Sequence, residues 1–469
     1  MAWLSGVIYA VFVIFFGYFI VLTLYCLFLV FVGLLESEKR SEEEELAEEY
    51  AALAASTFTL PVSVIIPVKD EEGWIEDSLK AVLNLDYPEL EIIVVDDGST
   101  DNTLNVLENI LRLKSVDRVF VDRFRSGKIK EVFDSQSYPN VHVISKSGGH
   151  KKAGAINTGL NFARGKYVCV VDADTILEPD ALLKVMAYVE KDPENIIGIG
   201  SYFGLVNGFK IKGGKILERN FSRNPIIAYQ NLEYIRSFIG NRTAWSKYNA
   251  TPDIAGSFSI WRRDILLELG GYSSDFSCED IELTFRAHDY IVKNEKQGYK
   301  IVMLPYCVGW TEGPDNIVSL LLQRNRWQRV TIETVWSYRR MILNPKYGIF
   351  AFLTLPYFLL YEVLGVFFEV AGIALVVWGW LAGILDIRIF LTFFFLMMFS
   401  QIYLSLLSIF AFARGQKIFR LKDISYLVLL TFVEFFWYRW LITISKITGT
   451  ISYFSGVRIF DSYERSKPH

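Results

Sequence analysis

The chain has 469 residues, of which 52% are apolar and 15% aromatic, and its formal net charge is −4. This apolar fraction is high for a purely soluble protein, and the slightly acidic balance argues against a nucleic-acid partner. The four cysteines, Cys26, Cys169, Cys278 and Cys307, are widely scattered without a Cys-x-x-Cys pair. They are therefore predicted to be reduced packing residues, which excludes a disulfide framework or a zinc site.

The N-terminal segment is predicted to be a membrane anchor. Residues 1–35 contain no charged side chain, and such a run exceeds the roughly 20 residues needed to cross a bilayer. Lys39 and Arg40 follow it, so the positive-inside rule places the next segment in the cytoplasm. The glutamate-rich residues 36–60 are predicted to form a solvated linker helix.

From residue 61 the chain alternates between strand and helix patterns. Short β-branched apolar runs predict buried parallel strands at 62–66, 91–95, 141–144 and 167–171. Helices are predicted around 153–163 and 180–190. This alternation predicts an α/β domain over residues 61–335, with a mostly parallel, Rossmann-like sheet. The polar residues 113–140 are interpreted as an irregular surface insertion, with a mobile lid as the alternative.

Two aspartate pairs follow predicted strands directly. Asp96 and Asp97 come after one strand, and Asp172 and Asp174 come after another. In parallel sheets ligands bind beyond the carboxyl ends of the strands. Carboxylate oxygens are the ligands that Mg²⁺ or Mn²⁺ prefers, and such an ion would neutralise a nucleotide diphosphate. Either pair alone could be a common turn, but two pairs in this position favour a shared metal and nucleotide site.

A third acidic pair, Glu279 and Asp280, precedes an amphipathic helix pattern. One interpretation is a first-turn acid pair stabilised by the helix dipole. The other is a general base, because a carboxylate placed near a hydroxyl can accept its proton. The spacing leaves both open.

The stretch from Gln323 to Trp327 separates the soluble pattern from a strongly apolar one. The planar guanidinium of Arg326 could hold a diphosphate in a bidentate manner. The indole of Trp327 offers a sugar ring a flat apolar face. A basic and aromatic collar at the membrane interface is the alternative.

Residues 336–469 are predicted to form membrane-spanning and interfacial helices. Apolar runs cover 349–380 and 389–412, and a short third run covers 426–437. That third run could be a span, a re-entrant segment or an interfacial helix. Glu362 and Glu369 are seven residues apart, hence nearly on one helical face. They could line a passage for a glycan, or they could be paired within the helix bundle.

Five motifs occur in the order known from the membrane-bound, processive family 2 glycosyltransferases, which the chain resembles. They are Val64-Ile-Ile-Pro67, Asp96-Asp-Gly-Ser99, Asp172-Ala-Asp174, Glu279-Asp280 and Gln323-Arg-Asn-Arg-Trp327. That group includes the synthases of cellulose, hyaluronan, chitin and poly-N-acetylglucosamine, and it has a GT-A fold. The placement of the apolar runs looks most like the poly-N-acetylglucosamine and hyaluronan branch.

The resemblance implies a role for each motif residue. Asp96, Asp97, Lys152, Asp172 and Arg326 would bind the donor nucleotide, and Asp174 and Asp172 would hold Mg²⁺ or Mn²⁺. Asp280 would be the catalytic base, with Glu279 as its neighbour. Gln323, Trp327, Gly256 and Ser257 would contact the acceptor. Two departures stand out: Cys278 occupies a position where many relatives carry a small residue or threonine, and the lysine motif has two adjacent lysines, Lys151 and Lys152.

The resemblance also implies the reaction. We expect an inverting, processive hexosyltransferase that polymerises a β-linked polysaccharide, with N-acetylglucosamine as the sugar and UDP as the carrier. Its partners would be the nucleotide sugar, the growing glycan and the bilayer, with the protein a multi-pass component of the plasma membrane and its catalytic domain cytoplasmic. The alternative is non-processive transfer of one sugar to a polyprenyl phosphate or another lipid. Enzymes of that kind usually lack the Gln-x-x-Arg-Trp stretch.

Overall fold

The computed structural model describes residues 2–44, 48–56, 59–124, 126–149, 151–383, 386–416 and 418–456. They form two compact units. The sheet unit comprises Lys39–Arg223 and Ser246–Gly313, and the helical unit comprises Met1–Glu38, Asn224–Trp245 and the helices that follow Pro314. The domain boundaries expected from the sequence, after residues 35, 60 and 335, remain predictions. Residues 45–47 and 57–58 of the predicted linker, and 457–469 of the predicted C-terminal region, lie outside the described residues.

The strands all belong to the sheet unit. In chain order they are β1 (Val62–Val68), β2 (Leu90–Asp96), β3 (Leu113–Ser115), β4 (Ile129–Ser135), β5 (Val141–Lys146), β6 (Tyr167–Val171), β7 (Ile176–Leu177), β8 (Ile196–Leu205), β9 (Lys210–Lys212), β10 (Lys215–Glu218), β11 (Phe258–Arg262) and β12 (Lys300–Thr311). The four runs predicted as strands correspond to β1, β2, β5 and β6. These predictions are confirmed.

The helices are distributed over both units. They are α1 (Ala2–Glu44), α2 (Glu48–Ala55), α3 (Ile75–Leu83), α4 (Thr103–Leu111), α5 (Lys151–Phe162), α6 (Ala181–Val189), α7 (Pro225–Ile235), α8 (Thr243–Lys247), α9 (Arg263–Glu268), α10 (Glu279–Lys293), α11 (Ile317–Ser337), α12 (Leu355–Tyr357), α13 (Gly365–Leu381), α14 (Ile387–Gly415), α15 (Leu421–Thr431) and α16 (Tyr438–Phe454). Wider π-helical turns cover Arg236–Arg242, Phe350–Thr354 and Phe358–Val363. The helices predicted around 153–163 and 180–190 correspond to α5 and α6.

The main sheet has a parallel centre. Its strand order is β3-β4-β5-β2-β1-β6-β11-β8-β12-β7, and β5, β2, β1 and β6 pair in parallel. Strand β11 lies antiparallel between β6 and β8, and β8 pairs in parallel with β12. The carboxyl ends of β2, β5 and β6 therefore meet at one edge. The predicted α/β, mostly parallel architecture is confirmed.

Alternate residues of the central strands supply two separate apolar cores. Val64 and Ile66 of β1 belong to the core on one face, and Ile65 belongs to the core on the other. All three are at most 1% exposed. Because both faces are covered, every position of such a strand favours an apolar residue. That explains why these strands were recognisable from the sequence.

The segment 113–140 differs from its prediction. Its ends form β3 and β4, which pair antiparallel with each other, and β4 pairs antiparallel with β5. The expectation of an irregular insertion was wrong at these two places, because the segment extends the sheet. The strands were missed because their exposed positions carry polar residues such as Lys130 and Glu131, as is common at a sheet edge.

Two helical segments of the described chain are long and apolar enough to cross a membrane, Ala10–Arg40 and Phe394–Gly415. Phe350–Val363 and Gly365–Leu381 pass the same test together, but they are bent by 50°. The apolar run 426–437 is not one straight span. Helix α15 has only 11 residues and ends at Thr431, which is too short to cross about 30 Å of hydrocarbon.

Glu362 and Glu369 of the helical unit are both paired. Lys446 Nζ donates to Glu362 Oε2 at 2.6 Å, and Arg439 Nε donates to Glu369 Oε1 at 2.7 Å. The two basic residues are seven apart on α16, so they lie about two turns apart on one helix. Of the two alternatives left open by the sequence, the pairing within the bundle agrees with these contacts.

Exchanging the charges of the Glu362–Lys446 pair tests its contribution. Lys446→Glu alone places two carboxylates side by side in a partly buried position, with side chains 23% and 28% exposed in the native pair. We expect a loss of about 1 to 3 kcal/mol in stability. Adding Glu362→Lys should recover most of it, as measured by thermal unfolding of the purified protein. Equal Tm values for all three proteins would contradict a stabilising role.

Candidate active site

The first aspartate pair lies at the carboxyl end of β2 and is already engaged by neighbouring groups. Asp96 accepts hydrogen bonds from the Ser99 amide at 3.0 Å and from the Ser145 hydroxyl at 3.2 Å. Asp97 accepts from Lys146 Nζ at 2.6 Å. The last two residues of β5 thus hold both carboxylates in place at the sheet edge.

Lys146 is a site residue that the sequence analysis missed. Its side chain is completely buried, and the partner Asp97 is also buried. A buried ammonium has a large desolvation cost unless it is paired, so the two charges depend on each other. The signal in the sequence was its position at the end of a predicted strand; the pairing of that strand with β2, which brings Lys146 to Asp97, is known only from the sheet order.

Removing Lys146 should be costly. Lys146→Met keeps the apolar volume but leaves the buried Asp97 carboxylate unpaired, which costs about 3 to 5 kcal/mol. Lys166→Met is the matched control, since the Lys166–Glu194 pair is exposed and such pairs contribute about 0 to 1 kcal/mol. Denaturation of the full chain would compare the two. Equal losses of unfolding free energy in the two variants would show that the buried Lys146–Asp97 pair contributes no more than an exposed pair.

The second aspartate pair follows β6. Asp172 Oδ1 lies 2.5 Å from Lys152 Nζ. Asp174 is buried, and its Oδ1 accepts a hydrogen bond from the Thr311 hydroxyl of β12 at 3.4 Å. Burial raises the pKa of Asp172 to about 6; Asp174 adds to the rise and Lys152 opposes it. The site therefore already contains one cation beside its carboxylates.

Lys152 bridges the second aspartate pair to the third acidic pair. Its Nζ lies 3.1 Å from Glu279 Oε1 as well as 2.5 Å from Asp172. Burial lowers the pKa of Lys152, but the adjacent Asp172 and Glu279 outweigh that effect and raise it well above its usual value. Lys151 instead donates to the carbonyl oxygen of Ser274 at 2.9 Å. Of the two adjacent lysines, Lys152 is therefore the one within this cluster.

Glu279 and Asp280 are the first two residues of α10, so the helix dipole favours their charge. The Asp280 carboxylate accepts from the Gly256 amide on Oδ2 at 2.9 Å. Its Oδ1 accepts from the Ile281 amide at 2.7 Å and from the Cys278 thiol at 2.9 Å. Burial raises the pKa of Asp280, and so does Glu279, while the Cys278 hydrogen bond lowers it. A carboxylate with a raised pKa that faces a cluster of charged groups suits a general base.

Gly256 lies in the turn before β11, directly beside this carboxylate. A Cβ atom added to it would lie 2.9 Å from Lys152 Nζ and 3.3 Å from Asp280 Oδ2. A side chain would therefore intrude on both charged groups. Ser257 follows in the same turn and is half-buried. The amide of Gly256 thus orients Asp280, in addition to the acceptor contact predicted for this residue.

Asn157 fixes the turn that leads to α10 against α5. Its Nδ2 donates to the Tyr272 carbonyl at 2.7 Å, and its Oδ1 accepts from the Tyr272 amide at 2.8 Å. Gly271 has a φ of +72°, and a Cβ there would lie 2.5 Å from Asn157 Oδ1. This clamp connects the helix carrying Lys152 to the segment carrying Asp280.

The carboxylates fit a metal that a nucleotide helps to bind. Within the part of the chain that the structure describes, no three His, Cys, Asp or Glu side chains are grouped so as to hold an ion alone. Mg²⁺ usually takes only one or two carboxylates from a protein and completes its shell with phosphates and waters. Asp172 and Asp174, which follow β6, would supply such a donor set, and their assignment as metal ligands stays a prediction.

The Gln323–Trp327 stretch lies on α11 in the helical unit. Gln323 and Arg324 are buried, whereas Arg326 is exposed and Trp327 is 40% exposed. Gln323 and Trp327 are four residues apart and therefore neighbours on the helix surface, and Arg324 contacts both of them. The acceptor and diphosphate roles assigned to these residues stay predictions.

Arg324, which the sequence analysis did not single out, organises this side of α11. Its guanidinium lies 3.9 Å from the centre of the Trp327 ring and donates to Gln323 Oε1 at 2.6 Å and to Glu233 Oε2 at 2.5 Å. Glu233 also accepts from the Tyr438 hydroxyl at 3.0 Å. The Arg324 side chain therefore holds the predicted acceptor residues in one arrangement.

Helix α16 packs closely against the same part of α11. A Cβ on Gly449 would lie 2.7 Å from the Asn325 carbonyl oxygen. Ser445 donates to the Leu321 carbonyl at 2.6 Å, and the Asn325 amide group donates to the Thr448 hydroxyl at 3.1 Å. Small residues on α16 thus allow the two backbones to approach, and the C-terminal helix supports the stretch.

Comparison with known families gives two matches. Residues 63–270 match Glycosyl transferase family 2, and residues 167–451 match Glycosyl transferase family group 2. The second match covers more than half of the chain and includes Asp172, Asp174, Glu279, Asp280 and α11.

Two relatives illustrate the similarity. The poly-beta-1,6-N-acetyl-D-glucosamine synthase of Staphylococcus epidermidis is 28% identical over 283 residues, which are 59% of this chain and 57% of the relative. The probable glycosyltransferase YdaM of Bacillus subtilis is 30% identical over 272 residues, which are 57% of this chain and 54% of the relative. The matched part of the chain spans little more than half the length of each relative.

One solved structure has the same fold. A mannosyltransferase from Pyrobaculum calidifontis, solved with GDP-Man and Mn²⁺, aligns with a TM-score of 0.51 and 17% sequence identity, covering 93% of this chain and 100% of that one. At this identity the likeness shows the GT-A fold alone. The family matches, the second of which covers more than half of the chain, show that the chain belongs to glycosyltransferase family 2.

Proposed function

We propose that this protein is an inverting, processive glycosyltransferase that polymerises N-acetylglucosamine from UDP-N-acetylglucosamine into a β-linked polysaccharide and passes it across the membrane. The observation that carries the proposal is the carboxylate of Asp280, which is oriented by the Gly256 amide beside the Lys152–Asp172 ion pair. This arrangement places a possible base for the acceptor hydroxyl, Asp280, next to Lys152 and Asp172, which suit a charged nucleotide-sugar donor.

The donor would bind at the carboxyl edge of the sheet. Asp96 and Asp97, held by Ser145 and Lys146, would contact the uridine and the adjacent phosphate. Asp172 and Asp174 would hold Mg²⁺ or Mn²⁺, which when bound neutralises negative charge on the diphosphate. Lys152 would contact the donor sugar or a phosphate oxygen, and its raised pKa keeps it charged at neutral pH.

The acceptor would be the growing end of the glycan. Trp327 would support its sugar ring with the exposed part of the indole. Gln323, Gly256 and Ser257 are proposed as its other contacts. Arg326, the exposed cation of the stretch, would hold the departing diphosphate.

The transfer would be one in-line displacement. The acceptor hydroxyl oxygen forms a bond to C1 of the donor sugar as the bond from C1 to the diphosphate oxygen breaks. Asp280 accepts the hydroxyl proton, with Glu279 as the neighbouring carboxylate, and UDP leaves with the bonding electron pair. Because attack is opposite to the leaving group, an α-linked donor gives a β-linked product.

The membrane part fits a polymer that leaves the cell. Two segments of the described chain have the length and apolarity of membrane spans, and Lys39 and Arg40 after the first favour a cytoplasmic catalytic domain. Placement in the plasma membrane would give the active site access to the cytoplasmic nucleotide sugar.

The experiment uses membranes that contain the full chain. They are incubated with labelled UDP-N-acetylglucosamine, UDP-glucose or UDP-glucuronic acid and Mn²⁺ or Mg²⁺, and the product is sized and its linkage assigned by NMR. A long β-linked N-acetylglucosamine polymer is expected. A lipid carrying a single sugar would favour the non-processive alternative, and no incorporation from any donor would overturn the proposal.

A further inference from the structure

We propose that Cys278 is a positioning residue for Asp280: its thiol occupies one carboxylate oxygen and thereby leaves the other to receive the acceptor proton. The inference rests on the proposed function, in which Asp280 is the base. It concerns the residue that directly precedes the Glu279–Asp280 pair.

The hydrogen bonds distinguish the two oxygens of Asp280. Oδ1 accepts from both the Cys278 thiol at 2.9 Å and the Ile281 amide at 2.7 Å. Oδ2 accepts from the Gly256 amide at 2.9 Å. A carboxylate oxygen has about two lone-pair directions. Both directions of Oδ1 are therefore used, and Oδ2 keeps one for a hydroxyl.

The surroundings of Oδ2 agree with this assignment. A Cβ on residue 256 would lie 3.3 Å from Oδ2, so a glycine at this position keeps that side of the carboxylate accessible. Lys152, whose Nζ would lie 2.9 Å from the same Cβ, is on that side as well. The acceptor hydroxyl would therefore approach Asp280 next to the cation that faces the donor.

Cys278 reaches Oδ1 because of its place at the helix start. It is the residue before α10 and has an extended backbone, with φ −141° and ψ 126°. An N-cap residue usually turns its side chain toward the amides of the first turn, but the thiol of Cys278 donates to Asp280 instead. Its side chain is half-buried, so the hydrogen bond is partly protected from water.

The thiol also favours the ionised base, since a hydrogen bond to a carboxylate stabilises its charged form. The other groups that act on Asp280 are carboxylates that raise its pKa and a cation that lowers it. They are Glu279 on the same helix, Asp253 before β11 and Lys152 on α5. Glu279 and Asp253 raise the pKa of Asp280 and thus disfavour its charged form. The Cys278 thiol and Lys152 lower that pKa and favour the charged form.

The test compares Cys278→Ala, Cys278→Ser and the unchanged full chain in membranes, with UDP-N-acetylglucosamine as substrate. Cys278→Ala should lower kcat about tenfold or more, as expected for loss of a hydrogen bond to a charged group. The KM for the donor should stay constant. Because the base works ionised, loss of the thiol should also move the acid limb of the kcat profile to higher pH, on the order of one unit. Cys278→Ser retains a donor and should restore both kcat and the pH profile.

Asp280→Asn separates the possible failures. If Asp280→Asn is inactive while Cys278→Ala has the kcat and acid limb of the unchanged chain, the Cys278 proposal is overturned and the base assignment stands. If Asp280→Asn retains full turnover, the proposed function itself fails. UDP affinity and thermal unfolding of each variant provide the folding control: a Cys278→Ala variant that loses activity only through unfolding would also lose UDP binding, and that result would overturn the proposal too.

Discussion

Replacement of Asp280 by asparagine is expected to lower the rate of sugar transfer about 10²- to 10⁴-fold, the usual contribution of a general base. Asparagine is close to aspartate in size but cannot take up a proton at neutral pH. The predicted donor-binding residues are unchanged, so UDP affinity should stay near that of the unchanged chain. Initial rates with labelled UDP-N-acetylglucosamine, together with calorimetric UDP binding, measure the two effects.

Asp275→Asn is the matched control for this substitution. Asp275 lies five residues earlier, in the loop before α10, and is exposed. Its replacement should leave transfer within about twofold of the unchanged chain, since surface substitutions usually have small effects. Equal losses in both variants would indicate a general effect of charge on the loop. Retained activity in Asp280→Asn would remove Asp280 from the role of base.

Arg324 and Arg326 lie two residues apart on α11, but their replacement should affect different properties. Loss of Arg324 should lower stability, whereas loss of Arg326 should weaken donor binding. Arg324→Leu removes the partner of Glu233, whose pair with Arg324 has side chains only 5% and 22% exposed. Breaking such a pair costs about 3 to 5 kcal/mol. Arg326 is exposed, so Arg326→Leu should change stability by less than about 0.5 kcal/mol but should weaken the diphosphate contact and raise the KM for the donor.

Arg324→Lys refines the comparison. Lysine keeps the positive charge but lacks the planar fork that contacts Gln323 and Glu233 while stacking on Trp327. It should recover part of the stability and leave acceptor binding impaired. Thermal unfolding in detergent and KM values for donor and glycan primer provide the readouts. If Arg326→Leu is the less stable of the two leucine variants, the assignment of structural and functional arginines is wrong.

The two possible roles of the Glu279–Asp280 pair, as first-turn acids and as a general base, are compatible with one another. A position in the first turn of α10 stabilises negative charge through the helix dipole. The same position brings Asp280 against Gly256, which is distant in sequence. The sequence could identify the helix start, but it could not show what the carboxylate would face. That depends on the path of the turn before β11.

The sequence determined the elements whose signal is local. The central strands were recognisable because a strand buried on both faces is apolar at every position, as in Val64, Ile65 and Ile66. The first candidate membrane span was recognisable because residues 1–35 carry no charge and outnumber the roughly 20 residues that cross a bilayer. The aspartates at strand ends could be assigned to one edge, since parallel strands end on the same side of a sheet.

Only the tertiary structure decided which charges are neutralised and by which partners. Lys146 pairs with Asp97 across 49 residues of sequence, and Arg324 pairs with Glu233 across 91. Such contacts follow from strand order and from helix packing, which no single segment of sequence specifies. The desolvation cost of a buried charge then makes each pairing obligatory. For this reason the sequence predicted which residues carry the chemistry, while the fold decided how each of them is held.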